Sequence, residues 1–78
     1  MVRDQLDSLL RRLVDQPDQV EVDEFDAGDA IVFEARVAQA DLGKVIGRQG
    51  RTARAIRSLL AERGSQDGAR YEFEVVDD

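Results

Sequence analysis

Two glycines, Gly47 and Gly50, divide a helical segment that lies between two strand-like segments, and this arrangement restricts the fold more than any other feature. Asp41 is a good N-cap for a short helix that precedes Gly47. The apolar spacing after Gly50 predicts a longer helix to about residue 63, with Gly64 as its C-cap. Because two helices between two strands form a crossover, the strands should be parallel within one sheet.

The flanking segments complete an α+β pattern. A helical stripe over roughly residues 2–15 is predicted by the spacing of Val2, Leu6, Leu9, Leu10, Leu13 and Val14. Pro17 favours the end of that helix. Alternation predicts strands at residues 20–23, 31–37 and 71–75, the first two forming an antiparallel hairpin through a turn at residues 26–29. We therefore expect one domain, residues 1–78, with a three-stranded mixed sheet and helices on one face.

The distribution of apolar and charged residues also predicts which positions lie in the core and which face solvent. Core positions are expected on the second long helix at Ala53, Ile56, Leu59 and Leu60. The aromatic residues are expected in the core rather than as stacking platforms: Phe25, Phe33, Tyr71 and Phe73. Residues 65–69 are expected to form a polar loop. The solvent face of the sheet is expected to carry Glu21, Asp23, Glu34, Glu72 and Glu74, an arrangement that favours neither a metal site nor a catalytic pair.

Several function classes are disfavoured by residues that the chain lacks. It has neither cysteine nor histidine, so thiolate metal sites and the commonest general base are missing. No apolar run approaches the roughly 18 residues that span a bilayer. The opening residues do not follow the plan of a signal peptide. We expect a cytoplasmic, non-catalytic protein without metal or cofactor.

The charge distribution favours a polyanion as partner, although the net charge is −6. Residues 44–61 contain no acidic residue and five basic ones, namely Lys44, Arg48, Arg51, Arg54 and Arg57. The rest of the chain therefore carries a net charge of −11. A local basic patch on an acidic body is a plausible phosphate site, and the acidic remainder should keep non-specific affinity low. The alternative for these residues is a solvated helix face. For Arg57 and for Arg63, a surface or salt-bridging role is the preferred interpretation.

The glycine loop, residues 47–50, suits a phosphate ligand. Glycine at both corners permits tight turns and leaves no Cβ between backbone and ligand. The following helix offers unpaired N–H groups, and Arg48 and Arg51 can add charged contacts. Two nucleotide motifs fit less well. A dinucleotide fingerprint and a P-loop would each need glycine where Val45 stands, and a P-loop would also need lysine instead of Arg51.

The loop and the two residues before it resemble a known signature. They read Val45-Ile46-Gly47-Arg48-Gln49-Gly50. This resembles the (I/V)-I-G-x-x-G signature of KH domains, and the element order resembles the type II form of that fold. Residues 41–57, the chain length and the leucine-rich opening helix resemble the KhpA family of small bacterial RNA-binding proteins with a single KH domain. Ala53 departs from the larger aliphatic residue of many KH domains, and Ile56 is expected to fill part of that volume.

The resemblance implies a binding site for single-stranded RNA. It assigns the grip on the sugar-phosphate backbone to Gly47, Arg48, Gln49 and Gly50. It assigns apolar contacts near the bases to Val45 and Ile46, for which a place in the core is the alternative. It assigns the phosphate path to Lys44, Arg51 and Arg54.

The resemblance also implies partners and a cellular role. Family members form homodimers and pair with KhpB (also called Jag or EloR), and the pair is described as a probable RNA chaperone that affects gene expression, cell length and cell-wall homeostasis. A leftover apolar edge on the opening helix could serve dimerisation. The alternative function is a KH-fold interaction module whose RNA binding is supplied mainly by a partner.

Overall fold

The computed structural model describes residues 1–77. Three helices and three strands follow one another as α1 (Val2–Leu13), β1 (Glu21–Asp26), β2 (Ile31–Arg36), α2 (Leu42–Ile46), α3 (Arg51–Asp67) and β3 (Tyr71–Val75). Single 3-10 turns lie at Pro17–Gln19, Gln39–Asp41 and Arg48–Gly50. In this part of the chain, no helix is long and apolar enough to cross a membrane.

The strands form one mixed sheet in the order β1-β2-β3. β1 and β2 are antiparallel, with Val22 opposite Ala35. β2 and β3 are parallel, with Phe33 opposite Phe73. Parallel neighbours cannot be joined by a tight hairpin and need a long crossover connection, which α2 and α3 provide here. The predicted α+β fold, with the element order of a type II KH domain, is confirmed.

The core lies between the helices and one face of the sheet. It contains Leu6, Leu10, Val14, Val20, Val22, Phe33, Ala35, Val45, Ala53, Ile56, Leu60 and Phe73. The leucines of α1 differ in burial. Leu6 and Leu10 are buried in the core, whereas Leu9 and Leu13 are only partly buried. A chain of this size buries only about 60% of its unfolded surface, so its stability margin is thin.

The opposite side of the sheet, here called the outer face, is acidic as predicted. Strand register places on it Glu21, Asp23, Glu34, Glu72 and Glu74. Phe25 lies on the same face opposite Val32 and is 49% exposed, so its predicted place in the core is wrong. The reason is parity: Phe25 lies an even number of residues from Glu21 and Asp23 and therefore points the same way.

Two predicted helix ends are wrong. The first helix ends at Leu13 rather than near residue 15. α3 continues to Asp67, and its C-cap is Gly68 in the left-handed conformation, so residues 65–67 are helical. Gly64 lies inside α3, where an added Cβ would approach the carbonyl oxygen of Ala69 to 2.5 Å. This glycine therefore permits close approach of the backbone after the helix instead of ending it.

Asp41 is the N-cap of α2 by position, as predicted, but its side chain donates or accepts no capping hydrogen bond there. Its carboxylate is buried and accepts the backbone N–H groups of Asp15 at 3.2 Å and Gln16 at 3.1 Å. These donors follow the last turn of α1. A buried carboxylate needs such hydrogen bonds to offset its lost hydration. Asp41 thus links the end of α1 to the start of α2.

An arginine side chain forms a hydrogen bond with each of the two edge strands, β1 and β3. Nη1 of Arg3 donates to the carbonyl oxygen of Val22 on β1 at 2.9 Å. Nε of Arg57 donates to the carbonyl oxygen of Phe73 on β3 at 3.4 Å. Both carbonyls point away from β2, because neighbouring residues of a strand direct their backbone groups to alternate sides. The arginines therefore cover part of the open hydrogen-bonding edge of each outer strand.

Candidate nucleic-acid interface

The glycine loop joins α2 to α3 within four residues. Gly47 follows α2 with φ 80° and ψ 168°, and Gly50 precedes α3 with φ 73° and ψ 15°. Gln49 is also left-handed, with φ 58°. Hydrogen bonds from Gly47 N–H to Gly43 O and from Gly50 N–H to Gly47 O close the turn. The loop is therefore a tight backbone structure rather than an open linker.

The two glycines are needed for different reasons. An added Cβ at Gly47 would lie 2.7 Å from the backbone nitrogen of Thr52, and its φ and ψ belong to a region used almost only by glycine. An added Cβ at Gly50 would meet no atom within 4 Å, so only its positive φ favours glycine. Gly47 is thus fixed by both space and conformation, whereas Gly50 is fixed by conformation alone.

The side chains around the loop leave positive charge facing solvent. Arg48, Gln49 and Arg51 are exposed. Neither Arg48 nor Arg51 forms an ion pair with any carboxylate of residues 1–77. Nη2 of Arg54 donates to the carbonyl oxygen of Gln49 at 3.0 Å, which holds its guanidinium against the loop. Three of the predicted phosphate contacts are therefore brought together at one surface.

The start of α3 adds backbone donors to that surface. Its N-cap, Gly50, has no side chain and makes no side-chain cap. The first N–H groups of a helix have no partner within the helix, and the helix dipole places partial positive charge there. A phosphate near Arg48 and Arg51 could accept both kinds of donor. Within residues 1–77, no group of three or more acidic side chains is arranged to hold a metal ion.

Lys44 differs from the arginines because it already has acidic partners. Its Nζ lies 3.0 Å from Oδ2 of Asp15 and 3.9 Å from Oδ1 of Asp41. The hydrogen bond that Lys44 donates to Asp15 raises the pKa of Lys44. A phosphate would have to compete with these carboxylates for the ammonium. Lys44 is therefore the least available of the predicted phosphate contacts.

The structure separates the two aliphatic residues that precede the loop. Val45 is fully buried in the core, whereas Ile46 is 39% exposed. Only Ile46 can therefore offer apolar surface to a ligand. Sequence alone left both residues with two interpretations, because adjacent positions on a short helix can face either way.

Arg57 and Arg63 form separate contacts. The guanidinium carbon of Arg57 lies 6.0 Å from the centre of the Phe73 ring, in addition to the bond to the Phe73 carbonyl. Arg63 pairs with Asp67 at 3.0 Å and donates to Gln5 at 2.9 Å, as expected for a salt-bridging residue. The contact of Arg57 with Phe73 was missed by sequence reasoning, since the two residues lie 16 positions apart.

The network around Arg63 lies at the far end of α3 from the loop. The hydroxyl of Tyr71 donates to Asp67 at 2.8 Å. This hydrogen bond lowers the pKa of Asp67 and raises that of Tyr71. Together with Gln5, these residues connect α1, α3 and β3, and they leave the glycine loop at the opposite end of the helix.

Comparison with known proteins agrees with this geometry. Residues 3–75 match the family described as KhpA/KhpB, KH domain. The RNA-binding protein KhpA of Aquifex aeolicus is 41% identical over 76 residues, covering 97% of this chain and 96% of that protein. The protein of the same name from Caldanaerobacter subterraneus is 42% identical over 69 residues, covering 88% and 92%. That from Chlamydia caviae is 36% identical over 77 residues, covering 99% of both. No solved structure gives a significant match. The chain therefore belongs to the KhpA/KhpB family of KH domains.

Proposed function

We propose that this protein binds single-stranded RNA by gripping the sugar-phosphate backbone with the glycine loop, without catalysis. The observation that carries the proposal is the pair Arg48 and Arg51, both exposed and both without an acidic partner in residues 1–77, beside the uncapped start of α3. Relatives named RNA-binding protein KhpA support it. Arg54 supports the loop and can share a phosphate through its remaining donors.

The remainder of the surface favours a confined site. The outer face of the sheet is acidic and repels a polyanion, while the acid-free stretch of residues 44–61 attracts it. KH loops clamp about four nucleotides. We infer that residues 1–78 act as one KH domain in the cytoplasm, with a short RNA footprint and little non-specific affinity.

The first prediction concerns the salt dependence of RNA binding. If about four phosphates are contacted, log K plotted against log salt concentration should have a slope of roughly −2.8 for single-stranded RNA, because each neutralised phosphate releases condensed counterions. Fluorescence anisotropy of a labelled oligonucleotide at several salt concentrations measures this slope. Binding that does not change with salt would contradict the electrostatic grip, and absence of binding at low salt would overturn the proposed function.

A specific apolar surface supports a second role as a homodimer. α1 and α3 border a groove, here called the α1–α3 groove, lined by Val2, Leu6, Leu9, Ile56, Leu59 and Leu60. Leu59, which was expected in the core, is 58% exposed at its rim. A second copy would cover this surface and add apolar burial to a domain that has little. If this surface were the main function, the protein would be an interaction module that relies on a partner for RNA binding.

The dimer proposal predicts the effect of Leu59→Asp. A carboxylate at the rim opposes burial of the α1–α3 groove, so this variant should be monomeric at concentrations where the wild type is dimeric. Its fold should be retained because Leu59 is largely exposed within one chain. Analytical ultracentrifugation at micromolar concentration measures the difference, and Ser58→Asp is the matched control on the adjacent exposed position. A wild type that stays monomeric throughout would remove the dimer proposal.

The cellular part of the proposal rests on family resemblance. We extend it to pairing with a KhpB-like protein and to a role as an RNA chaperone in gene expression, cell length and cell-wall homeostasis. Such a role is compatible with a backbone grip, which binds many sequences with modest affinity. Co-purification of the protein with its crosslinked RNAs from the source cell is the measurement that would identify its targets.

A further inference from the structure

The outer face of the sheet has the composition of a docking surface. The helices pack on the opposite face, where the core lies, and no helix of residues 1–77 covers the outer face. An apolar pair interrupts its carboxylates, because the half-exposed ring of Phe25 lies opposite Val32 in the strand register. Aromatic residues are enriched in protein interfaces, so Phe25 favours a protein as the occupant of this face.

Three carboxylates form a row across the outer face. Asp23 lies opposite Glu34, and Glu34 lies opposite Glu74. Strand spacing sets neighbours in the row about 5 Å apart, and like charges at opposite positions destabilise a sheet. Arg36 lies 3.8 Å from Glu34, but neither Asp23 nor Glu74 forms an ion pair within residues 1–77. A cationic occupant would therefore relieve a repulsion that the isolated domain retains.

The glycine-loop surface of a second molecule has the complementary composition. Its Arg48 and Arg51 are exposed and form no ion pair within residues 1–77. Ile46, two residues before Arg48, is partly exposed. The arginines can therefore meet the unpaired carboxylates while Ile46 meets Phe25. Because the loop belongs to the helical layer, on the other side of the sheet, this contact requires two molecules.

We propose that the outer face of one molecule binds the glycine loop of a second copy and thereby competes with RNA for that loop. We call this the face–loop contact. The competition rests on the proposed RNA-binding function, whereas the contact between the two proteins does not. The outer face presents carboxylates where RNA presents phosphates, so both ligands use the same arginines. At high concentration, protein without RNA is therefore held in a form that RNA must displace.

The size of the outer face makes the face–loop contact weak. Three strands of five or six residues cover roughly 14 by 20 Å, so two molecules bury about 600 Å² in total. This is less than the roughly 1,000 Å² of a stable interface. We expect a dissociation constant on the order of 0.1–1 mM at low salt. High salt should abolish the contact, because its charges are exposed.

Two variants that cannot form the contact alone test it when they are mixed. The face variant, Asp23→Lys with Glu74→Lys, keeps the loop and loses the acidic row. The loop variant, Arg48→Asp with Gln49→Asp, keeps the outer face and loses the basic loop. In a nitrogen-15 NMR spectrum of the labelled face variant, loop signals should shift when millimolar unlabelled loop variant is added at low salt. With the label exchanged, the signal of Phe25 should shift.

A matched pair of proteins separates the face–loop contact from general attraction between charges. The loop variant that also carries Asp23→Lys and Glu74→Lys should cause no shift in the labelled face variant. The loop variant that instead carries Asp18→Lys and Glu62→Lys has the same net charge, changed outside the outer face, and should still cause it. Equal shifts from these two proteins, or no shift from the loop variant itself, would overturn the proposal. Signals around Leu59 report the α1–α3 groove separately.

A competition experiment tests the effect on RNA. Millimolar loop variant should raise the apparent dissociation constant of the face variant for a labelled uridine hexamer by at least about twofold, as expected when a competitor reaches its own dissociation constant. The loop variant with the two lysines on the outer face should not. NMR shifts without this loss of RNA affinity would overturn the competition. If the face variant binds no RNA at all, the proposed RNA-binding function fails, while the NMR mixture still decides the face–loop contact.

Dilution of the wild type covers the case in which the face variant does not fold. Between millimolar and micromolar concentration at low salt, signals of the loop and of Phe25 should shift together, and high salt should remove the change. Loop signals that shift without the signal of Phe25, or signals that do not depend on concentration, would overturn the face–loop contact.

Discussion

Replacing Arg48 and Gln49 together by aspartate is expected to lower the affinity for single-stranded RNA by at least 100-fold. The double change removes one cation and adds two carboxylates where phosphates would bind. Loss of charged hydrogen bonds at about 1.5–3 kcal/mol each readily exceeds the roughly 2.7 kcal/mol that corresponds to 100-fold. The fold should survive, because both residues are exposed and aspartate tolerates the left-handed conformation of Gln49.

A matched variant distinguishes the loop from overall charge. Arg12→Asp combined with Gln66→Asp changes the net charge by the same amount at exposed positions outside the glycine loop. It should weaken binding by no more than a few-fold, mainly at low salt. Anisotropy titrations and circular dichroism of all three proteins provide the comparison. Equal RNA affinity of the wild type and the loop variant would refute the assignment of the site to residues 47–50.

Gly47→Ala is expected to destabilise the protein far more than Gly50→Ala. At Gly47, alanine combines a conformation that costs about 1–3 kcal/mol with a Cβ placed 2.7 Å from the Thr52 nitrogen. At Gly50, alanine adds no contact within 4 Å, and the left-handed conformation costs only about 1–2 kcal/mol. A domain of this size has a stability on the order of 4–12 kcal/mol, so the first change removes a large share of it.

Urea unfolding followed by circular dichroism compares the two alanine variants. Gly50→Ala serves as the matched control, since it makes the same chemical change three residues away in the same loop. We expect Gly47→Ala to lower RNA affinity as well, because relief of the contact with Thr52 must displace the start of α3. Equal losses of stability in the two variants would show that the close approach at Gly47 is unimportant.

Local patterns were sufficient to predict the fold and the position of the loop. Strand alternation, helical spacing and the two glycines each depend on neighbouring residues, and the strand–helix–helix–strand order then fixed the parallel pairing. The solvent face of the sheet was predicted for the same reason. The boundary of the core was less secure: the first strand was predicted to end at residue 23, whereas β1 continues to Asp26, so Phe25 was placed in the core by its aromatic character alone.

Contacts between distant residues account for what the sequence did not predict. Asp41 has the local features of an N-cap, yet its carboxylate bonds to backbone groups 25 and 26 positions earlier. Gly64 resembles a helix end, but it lies where the chain passes close to Ala69. The partners of Lys44 and Arg57 likewise lie on other elements. Sequence periodicity predicts which face of a helix or strand a side chain lies on, but it does not predict which distant residue that side chain contacts.

The arginines at the two sheet edges also affect whether two molecules can pair through their edge strands at high concentration. An open edge strand can pair with a strand of another molecule and so begin an ordered aggregate. Here an incoming strand would first have to displace Arg3 from the Val22 carbonyl or Arg57 from the Phe73 carbonyl. Two guanidinium groups therefore oppose extension of the sheet from one molecule into the next. We therefore expect these contacts to limit fibre-like assembly without a further element over either edge.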